Sequence, residues 1–410
     1  MTHNTNQEIE RLQKWLYGRS EEIASLQTSL TGARAVGPEN GGPGEMEKAL
    51  LIEAILASLN IPFQRYECPD PRVEGGARPN IVAILGEKGD KTLWLFAHMD
   101  VVPPGDAEAW TSDPFVLKQS GDLVFGRGTE DNQQAIASML ILAEGLRSLR
   151  MEPPVKLGLV FMADEERGSH YGLEWLLETH GDIFSPGDYF IAPDGGSPDG
   201  DIIEIAEKAQ LWLKFTVSGK QCHASIPQEG RNALVAGSRL ILELVRISQK
   251  FNLSNPLFLP PMSTFTPTMR EANVPAVNIL PGKDVFYMDC RLLPGCDPQK
   301  ALKDFESATK SLEDGFEAKM EVVQWQPATF ASPQTEIVKK LKRAIFDVYG
   351  VTARPAGIGG ATVASFLRKK GFPAVVWSCI RNTCHQPNEY SSITATLKDA
   401  AVFGRILFDA

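Results

Sequence analysis

Residues 92–100 read TLWLFAHMD, and residues 155–164 read VKLGLVFMAD. Each stretch is a short apolar run that ends in polar, chemically active residues, and runs of this length are typical of buried strands. Similar runs occur at 81–86 (IVAILG) and 189–194 (YFIAPD), and an amphipathic helical segment lies at 134–149. Strands of this kind alternating with helices predict an α/β sheet that is covered by helices.

Helical spacing of apolar residues extends this pattern toward both ends of the chain. It predicts helices over residues 5–32 and 46–59, a further helix at 336–350, and a closing helix at 391–410. A last apolar strand is predicted at 373–379, between the two C-terminal helices. The two ends of the chain therefore belong to the same helix-covered sheet.

The order of predicted strands and helices changes in the middle of the chain, from about Ala209 onward. A strand (LWLKFTVSG) is followed by a helix at 233–251 and then by two strands at 276–282 and 285–294. A helix (QKALKDFESATKSLE) and a strand (FEAKMEVVQW) complete the segment. The order β-α-β-β-α-β is that of a split βαβ unit, and it predicts an inserted α+β domain.

These patterns set the expected domain limits. Residues 1–207 form the first part of the α/β domain, residues 208–327 form the inserted domain, and residues 328–410 form the second part of the α/β domain.

Composition excludes several classes of protein. The chain has 410 residues with 41 Lys and Arg against 51 Asp and Glu, a formal charge of −10. A net negative charge argues against binding to nucleic acid or to an anionic membrane surface. No run of about 18 apolar residues and no secretory signal is visible, so we expect neither a membrane-spanning helix nor secretion. The expected location is cytoplasmic.

Histidine and acidic residues follow the ends of the predicted strands. Functional groups gather at the carboxyl ends of strands in α/β sheets, so these side chains are expected at one edge. Imidazole and carboxylate groups suit two divalent ions, with one carboxylate as a bridge. The residues concerned are His98, Asp131, Glu165, Glu166, Asp194 and His385.

Each of these residues also has an ordinary explanation when it is taken alone. An Asp after a strand is more often a helix cap than a metal ligand, and the Glu165–Glu166 pair suits the positive end of a helix dipole. His98 beside Asp100 fits a strand-end hydrogen bond. If the pair is functional, one glutamate serves as a ligand and the other as a general base.

The chain resembles the M20 metallopeptidases, whose members include aminoacylases, succinyl-diaminopimelate desuccinylases, glutamate-type carboxypeptidases and dipeptidases. The resemblance covers nearly the whole chain in collinear order. It rests on eight segments: AHMDVVPPGD (97–106), Trp110 with DPF (113–115), GRGTEDNQQ (126–134), ADEERGS (163–169), APDGG (192–196), GKQCHASIP (219–227), DCRLLP (289–294) and CHQPNEY (384–390).

The resemblance implies a zinc-peptidase-like α/β catalytic domain with an inserted α+β lid that also mediates dimerisation. It also implies two divalent metal ions in each chain: zinc, with cobalt or manganese as alternatives. His98 and Asp194 would bind one ion, Glu166 and His385 would bind the other, and Asp131 would bridge them.

The same resemblance assigns roles to residues beside the ions. Glu165 would be the general base that activates water, and Asp100 would orient the imidazole of His98. His223 resembles the lid histidine that crosses a dimer interface and stabilises the oxyanion in the partner's site.

Three further residues resemble contacts to the substrate. Arg291 and Asn278 are lid residues in this interpretation, and Arg291 would clamp a carboxylate. Gly360 belongs to a glycine-rich loop that lacks the Asp found there in the family. A second departure is Gln133–Gln134, where the family commonly has Lys-Gly.

The predicted function is hydrolysis of the amide bond of small peptides or N-acyl amino acids by a homodimer. Aspartate at 194 is more similar to the dipeptidase and aminopeptidase branches than to the deacylases, which typically carry Glu there. The alternatives are an N-acyl amino acid deacylase or desuccinylase, a non-catalytic binding protein with the same fold, and a structural α/β protein whose match is coincidental.

Overall fold

The computed structural model describes residues 3–313 and 315–409. The described residues form ten α-helices: α1 (His3–Tyr17), α2 (Ser20–Gly32), α3 (Met46–Ser58), α4 (Gln133–Ser148), α5 (Leu173–Thr179), α6 (Ala233–Ser248), α7 (Pro298–Lys310), α8 (Glu336–Tyr349), α9 (Ala364–Lys369) and α10 (Ile393–Phe408). They also form eighteen strands: β1 (Phe63–Pro69), β2 (Ala77–Leu85), β3 (Thr92–His98), β4 (Lys118–Ser120), β5 (Leu123–Phe125), β6 (Lys156–Met162), β7 (Tyr189–Ser197), β8 (Ile202–Glu207), β9 (Ala209–Ser218), β10 (Cys222–His223), β11 (Thr264–Arg270), β12 (Ile279–Leu280), β13 (Lys283–Leu292), β14 (Glu317–Gln326), β15 (Thr329–Phe330), β16 (Arg354–Ile358), β17 (Val375–Cys379) and β18 (Tyr390–Ser392).

The chain divides into two compact units. The described residues of the first unit fall within Met1–Ile205, Ala331–Ala356 and Thr362–Ala410, and those of the second within Ala206–Phe330 and Gly357–Ala361. The short segment 357–361 of the second unit was not anticipated from the sequence. The predicted α/β fold class with an inserted α+β domain is confirmed.

The first unit is built on a mixed sheet with the strand order β1-β2-β6-β3-β7-β17-β8. Its four middle strands, β6, β3, β7 and β17, are mutually parallel. Every residue of β3 is buried, as expected for a strand that has neighbours on both edges and helices over both faces. The carboxyl ends of the four parallel strands therefore meet along one edge of the sheet.

The core beneath this edge is closely packed. Trp94 lies across Gly158 of the neighbouring β6, and a Cβ atom on Gly158 would fall 2.2 Å from the indole ring. The Asp188 carboxylate accepts hydrogen bonds from the Thr92 N–H and from Nε1 of Trp94, both at 2.9 Å. Asp188 thus fixes β3 at its amino end, far along the strand from His98.

The second unit is a four-stranded antiparallel sheet in the order β11-β13-β9-β14, with α6 and α7 packed on it. Its apolar core includes Phe215 and Phe286, whose rings stack with centroids 4.9 Å apart. The chain order β9-α6-β11-β13-α7-β14 is the predicted β-α-β-β-α-β order.

Two predicted elements differ from the structure. The predicted strand at 276–282 is mostly irregular, and the second strand of the unit is β11 instead. Pro275 precedes that segment and Pro281 lies within it; neither can donate to a ladder, which leaves only the two-residue β12. The predicted helix at 5–32 is broken near Gly18, a poor helix former, into α1 and α2.

The other predicted helices and strands are present with ends shifted by a few residues. Ala410, the last residue of the predicted closing helix, lies outside the described residues. None of the described helices is long and apolar enough to cross a bilayer.

Candidate metal centre

The parallel strands of the first unit deliver polar side chains to one edge of its sheet. His98 is the last residue of β3, and Glu165 follows the end of β6 in a single turn of 3₁₀-helix. Asp194 lies in β7 beyond the residues that pair with β3, and His385 lies in the loop after β17. Asp131 comes from the loop that leads into α4.

Five of these side chains form two groups that share one member. In the first group, Nε2 of His98 lies 2.8 Å from Oδ1 of Asp131 and 3.5 Å from Oδ1 of Asp194. In the second, Nε2 of His385 lies 3.0 Å from Oδ2 of Asp131 and 3.0 Å from Oε2 of Glu166. Within each group the candidate ligand atoms lie within 4.8 Å of one another.

Asp131 is therefore shared through separate oxygens, one for each group. Burial acts to raise the pKa of Asp131, but hydrogen bonds from His385 and His98 hold it below its usual range. Hydrogen bonds to Asp131 and Glu166 raise the pKa of His385 to about 10. Imidazole charge thus compensates this carboxylate when the protein holds no ion.

The other carboxylates are not compensated to the same degree. Burial and the negative charge of Asp131 raise the pKa of Glu166 to about 7. Burial likewise raises the pKa of Asp194 above its usual range. A cluster with this excess of acidic groups favours added positive charge, which bound cations supply.

The donor atoms fit divalent ions. Each group offers one imidazole nitrogen and carboxylate oxygens, a set that suits zinc and neighbouring transition metals. Oε1 of Glu166 is buried and has no hydrogen-bond partner among the described residues, so it is available to a cation. The arrangement can therefore hold one ion on each side of the Asp131 carboxylate.

Asp100 holds the turn that carries both glutamates. Its Oδ1 accepts a hydrogen bond from the Glu165 N–H and its Oδ2 accepts one from the Glu166 N–H, each at 3.0 Å. Nδ1 of His98 is 3.0 Å from the main-chain oxygen of Asp100, whereas the carboxylate oxygen is 3.5 Å away. With Nδ1 held at that carbonyl, Nε2 faces Asp131 and Asp194: it donates to Asp131 when the ring is protonated, and in the neutral ring its lone pair is available to a cation.

Glu165 lies beside the ligands. Burial, reinforced by the negative charge of Asp194, raises the pKa of Glu165 well above its usual range. A cation near these carboxylates would lower that pKa again. A buried carboxyl group beside the candidate ligands is suited to accept and return a proton.

Two of the predicted lid residues, His223 and Asn278, lie on neighbouring segments of the second unit. His223 in β10 pairs with Ile279, and the main-chain oxygen of Asn278 accepts a hydrogen bond from the Ala224 N–H at 2.9 Å. Nδ1 of His223 accepts a hydrogen bond from the Ser225 N–H at 3.1 Å. In the neutral imidazole this leaves the proton on Nε2, so the exposed His223 ring presents a donor.

The predicted carboxylate clamp is already engaged within the second unit. Nε and one Nη of Arg291 donate to the Asp289 carboxylate at 2.6 and 2.8 Å. The other Nη donates to the main-chain oxygen of Gly359, the neighbour of Gly360, at 2.8 Å. Arg291 thus anchors the glycine-rich loop, and Asp289 offsets its charge.

Two buried carboxylates beside the ligands were missed in the sequence. Glu130 precedes Asp131 and Glu389 follows His385 by four residues, and both lie among main-chain N–H groups. Their place in the motifs GRGTED and HQPNE was the available signal, but spacing alone does not tell a buried acceptor from a solvated one.

Comparisons with known proteins identify the class. Residues 94–409 match Peptidase family M20/M25/M40. An uncharacterized metallohydrolase of Methanococcus maripaludis is 37% identical, over 94% of this chain and 99% of the relative. A succinyl-diaminopimelate desuccinylase of Cereibacter sphaeroides is 27% identical, over 94% of this chain and 98% of the relative. Human carnosine dipeptidase 1 has a similar fold, with a TM-score of 0.75, 16% identity and 98% of both chains covered.

The fold and the comparisons define a metal-dependent hydrolase. This chain belongs to Peptidase family M20/M25/M40, as the resemblance of its motifs had predicted.

Proposed function

We propose that the protein hydrolyses the amide bond of small peptides with two divalent ions in each chain, and that it acts as a dipeptidase or aminopeptidase. The observation that carries this proposal is the position of Asp131, whose two carboxylate oxygens face two separate imidazole-carboxylate groups. A shared carboxylate between two ligand sets is the arrangement that two-metal hydrolases need.

The residues divide into ligands and a proton carrier. His98 and Asp194 would hold one ion, Glu166 and His385 would hold the other, and Asp131 would serve both. Ions bound there supply a Lewis acid for the substrate carbonyl and lower the pKa of water. A carboxylate oxygen of Glu165 takes the proton from the attacking water and returns it to the leaving amine nitrogen.

Two observations bear on the substrate. Aspartate at position 194 resembles the dipeptidase and aminopeptidase branches more than the deacylases, and this resemblance favours peptides, as in the sequence prediction. The second candidate function is N-acyl amino acid deacylation, including desuccinylation, and it is favoured by the desuccinylases among the sequence relatives.

We also propose that the protein is a homodimer through the second unit and that His223 acts in the partner's site. Support comes from the resemblance of the CHAS segment and from the Nε2 proton that the Ser225 contact leaves on the ring. A proton donor of this kind stabilises a developing oxyanion.

A hydrolysis panel tests the proposed activity. Protein loaded with zinc, cobalt or manganese is assayed on dipeptides, on N-acetyl amino acids and on N-succinyl amino acids. We expect the highest kcat/KM on dipeptides and no turnover by protein stripped of ions. Faster cleavage of the N-succinyl or N-acetyl compounds would favour the deacylase. Absence of turnover on the whole panel would favour the non-catalytic alternative.

A further inference from the structure

Two loops of the first unit supply candidate ligands to the group that Asp131 forms with Glu166 and His385. The bridging loop, residues 127–131, ends in Asp131, and the histidine loop, residues 381–388, contains His385. Both loops lie outside regular elements at the ligand positions, so strand pairing does not fix them there.

Glu389 holds the bridging loop. Its Oε1 accepts hydrogen bonds from the N–H groups of Glu130 and Asp131 at 2.9 and 3.0 Å. Its Oε2 accepts from the Gly128 N–H at 3.0 Å and from the Arg127 guanidinium at 2.6 Å. The side chain is fully buried, and both of its oxygens are used.

Glu130, in the bridging loop, holds the histidine loop. Its Oε2 accepts hydrogen bonds from the Cys384 N–H at 3.0 Å, from Oγ1 of Thr383 at 2.9 Å and from the Thr383 N–H. Its Oε1 accepts from the Arg381 N–H. Glu130, the neighbour of Asp131, thus fixes the histidine loop, and Glu389, the residue directly after the histidine loop, fixes the bridging loop.

The histidine loop depends on these bonds more than other parts of the site. His385 has a left-handed backbone (φ 62°), as do Asn382 and Asn388 (both φ 60°), and such residues persist only where their surroundings hold them. The His385 side chain is 55% exposed, so packing does little to fix it. His98, in contrast, is buried at the end of a strand with neighbours on both edges.

The bonding pattern requires a carboxylate at position 130. Donors face both oxygens of Glu130, so an amide at this position would direct its own N–H groups against a main-chain N–H. Glutamine therefore keeps the size of the side chain but loses part of the hydrogen bonding.

From this reciprocal arrangement we infer that Glu130 and Glu389 are positioning residues that set the distance between Asp131 and His385, and that Glu130 controls the affinity of the ion held by Glu166 and His385 while leaving the other ion unaffected. The inference rests on the proposed two-ion site. The Glu130 carboxylate contacts main-chain N–H groups and a hydroxyl of the histidine loop, so it acts through the backbone of that loop.

Stepwise zinc binding to the ion-free protein tests this inference, with a competing chelating indicator as the readout. Glu130→Gln should weaken one of the two zinc affinities by about 10- to 100-fold, as loss of outer-shell partners does. The other affinity should stay at the wild-type value. In a His385→Ala background, which keeps the ion of His98 and Asp194, Glu130→Gln should change nothing further.

Two more variants separate positioning from general stability. Asp188→Asn removes a buried carboxylate that likewise accepts main-chain hydrogen bonds, but at the amino end of β3. It should lower the thermal midpoint and keep both zinc affinities. Thr383→Val removes, at nearly unchanged volume, the hydroxyl that contacts Glu130 and the Tyr390 main chain, and it should weaken the same ion as Glu130→Gln, by less.

The outcomes distinguish this inference from the proposed function. Two unchanged zinc affinities in folded Glu130→Gln protein, or equal weakening of both, would overturn it. If Glu130→Gln does not fold, unchanged affinities in Thr383→Val would overturn it as well. Wild-type protein that binds fewer than two ions would overturn the proposed function, and this inference with it.

Discussion

Asp131 contacts both imidazoles of the centre through different carboxylate oxygens. We therefore expect Asp131→Ala to weaken both zinc affinities, because the shared ligand is lost to both ions. Asp194→Ala should weaken mainly one of them, since Asp194 belongs to the His98 group alone. Stepwise zinc titration of the two variants measures this difference, and an equal effect of both substitutions on the two ions would contradict the assignment of the groups.

Glu165 is the proposed carrier of the proton. Replacing it with glutamine removes the acid-base group and keeps the side-chain size, so kcat should fall by about 10²- to 10⁴-fold. Zinc content should remain at the wild-type level, because Glu166 and not Glu165 belongs to a ligand group. Steady-state kinetics together with elemental analysis checks both parts, and turnover near the wild-type rate would rule Glu165 out as the base.

At the residue scale, the sequence predicted the members of both candidate ligand groups. His98, Glu166 and Asp194 were recognisable because they follow or end apolar strands, whose carboxyl ends meet in a parallel sheet. Glu130 and Glu389 were not recognisable, because their partners are main-chain N–H groups of loops more than 250 residues away in the chain. Such partners leave no trace in composition or periodicity.

At the scale of elements, β3 and β6 position His98 and the two glutamates. Gly158→Ala in β6 should lower the free energy of unfolding by about 1–3 kcal/mol, because the added methyl group would overlap the buried Trp94 indole on β3. Chemical denaturation measures the change. Gly187→Ala is the matched control, since a Cβ there meets no atom within 4 Å among the described residues. Equal stability of both variants would contradict this description of the strand packing.

The elements that the sequence predicted well are those with strong periodicity or a long apolar run, such as β3, β6 and α4. The segment 276–282 was misassigned as a strand because its apolar residues resemble one, although Pro275 and Pro281 remove the N–H groups that a ladder needs. The actual second strand of that unit, β11, contains Pro267 and carries a bulge, which obscured its alternation. The predicted domain limits and the cytoplasmic location remain predictions.

At the scale of the whole molecule, the proposed dimer can be tested by mixing two inactive variants. Glu165→Gln and His223→Ala should each be nearly inactive. For His223→Ala, the loss of one oxyanion donor should lower kcat by about 10²- to 10³-fold. After subunit exchange, a mixed dimer has one site with both residues intact if His223 serves the partner's site. Activity should then reappear in the mixture.

Two controls belong to this mixing experiment. Each variant is subjected to the exchange conditions alone, and native mass spectrometry verifies that heterodimers form. No recovery of activity in the presence of heterodimers would show that His223 does not act across an interface.

In the proposed centre, two ions share the Asp131 carboxylate. Anomalous diffraction at the zinc absorption edge, from crystals of the zinc-loaded protein, tests it most directly. We expect two peaks in each chain, one beside His98 and Asp194 and the other beside Glu166 and His385, with an Asp131 oxygen next to each. A single peak, or peaks away from Asp131, would contradict it.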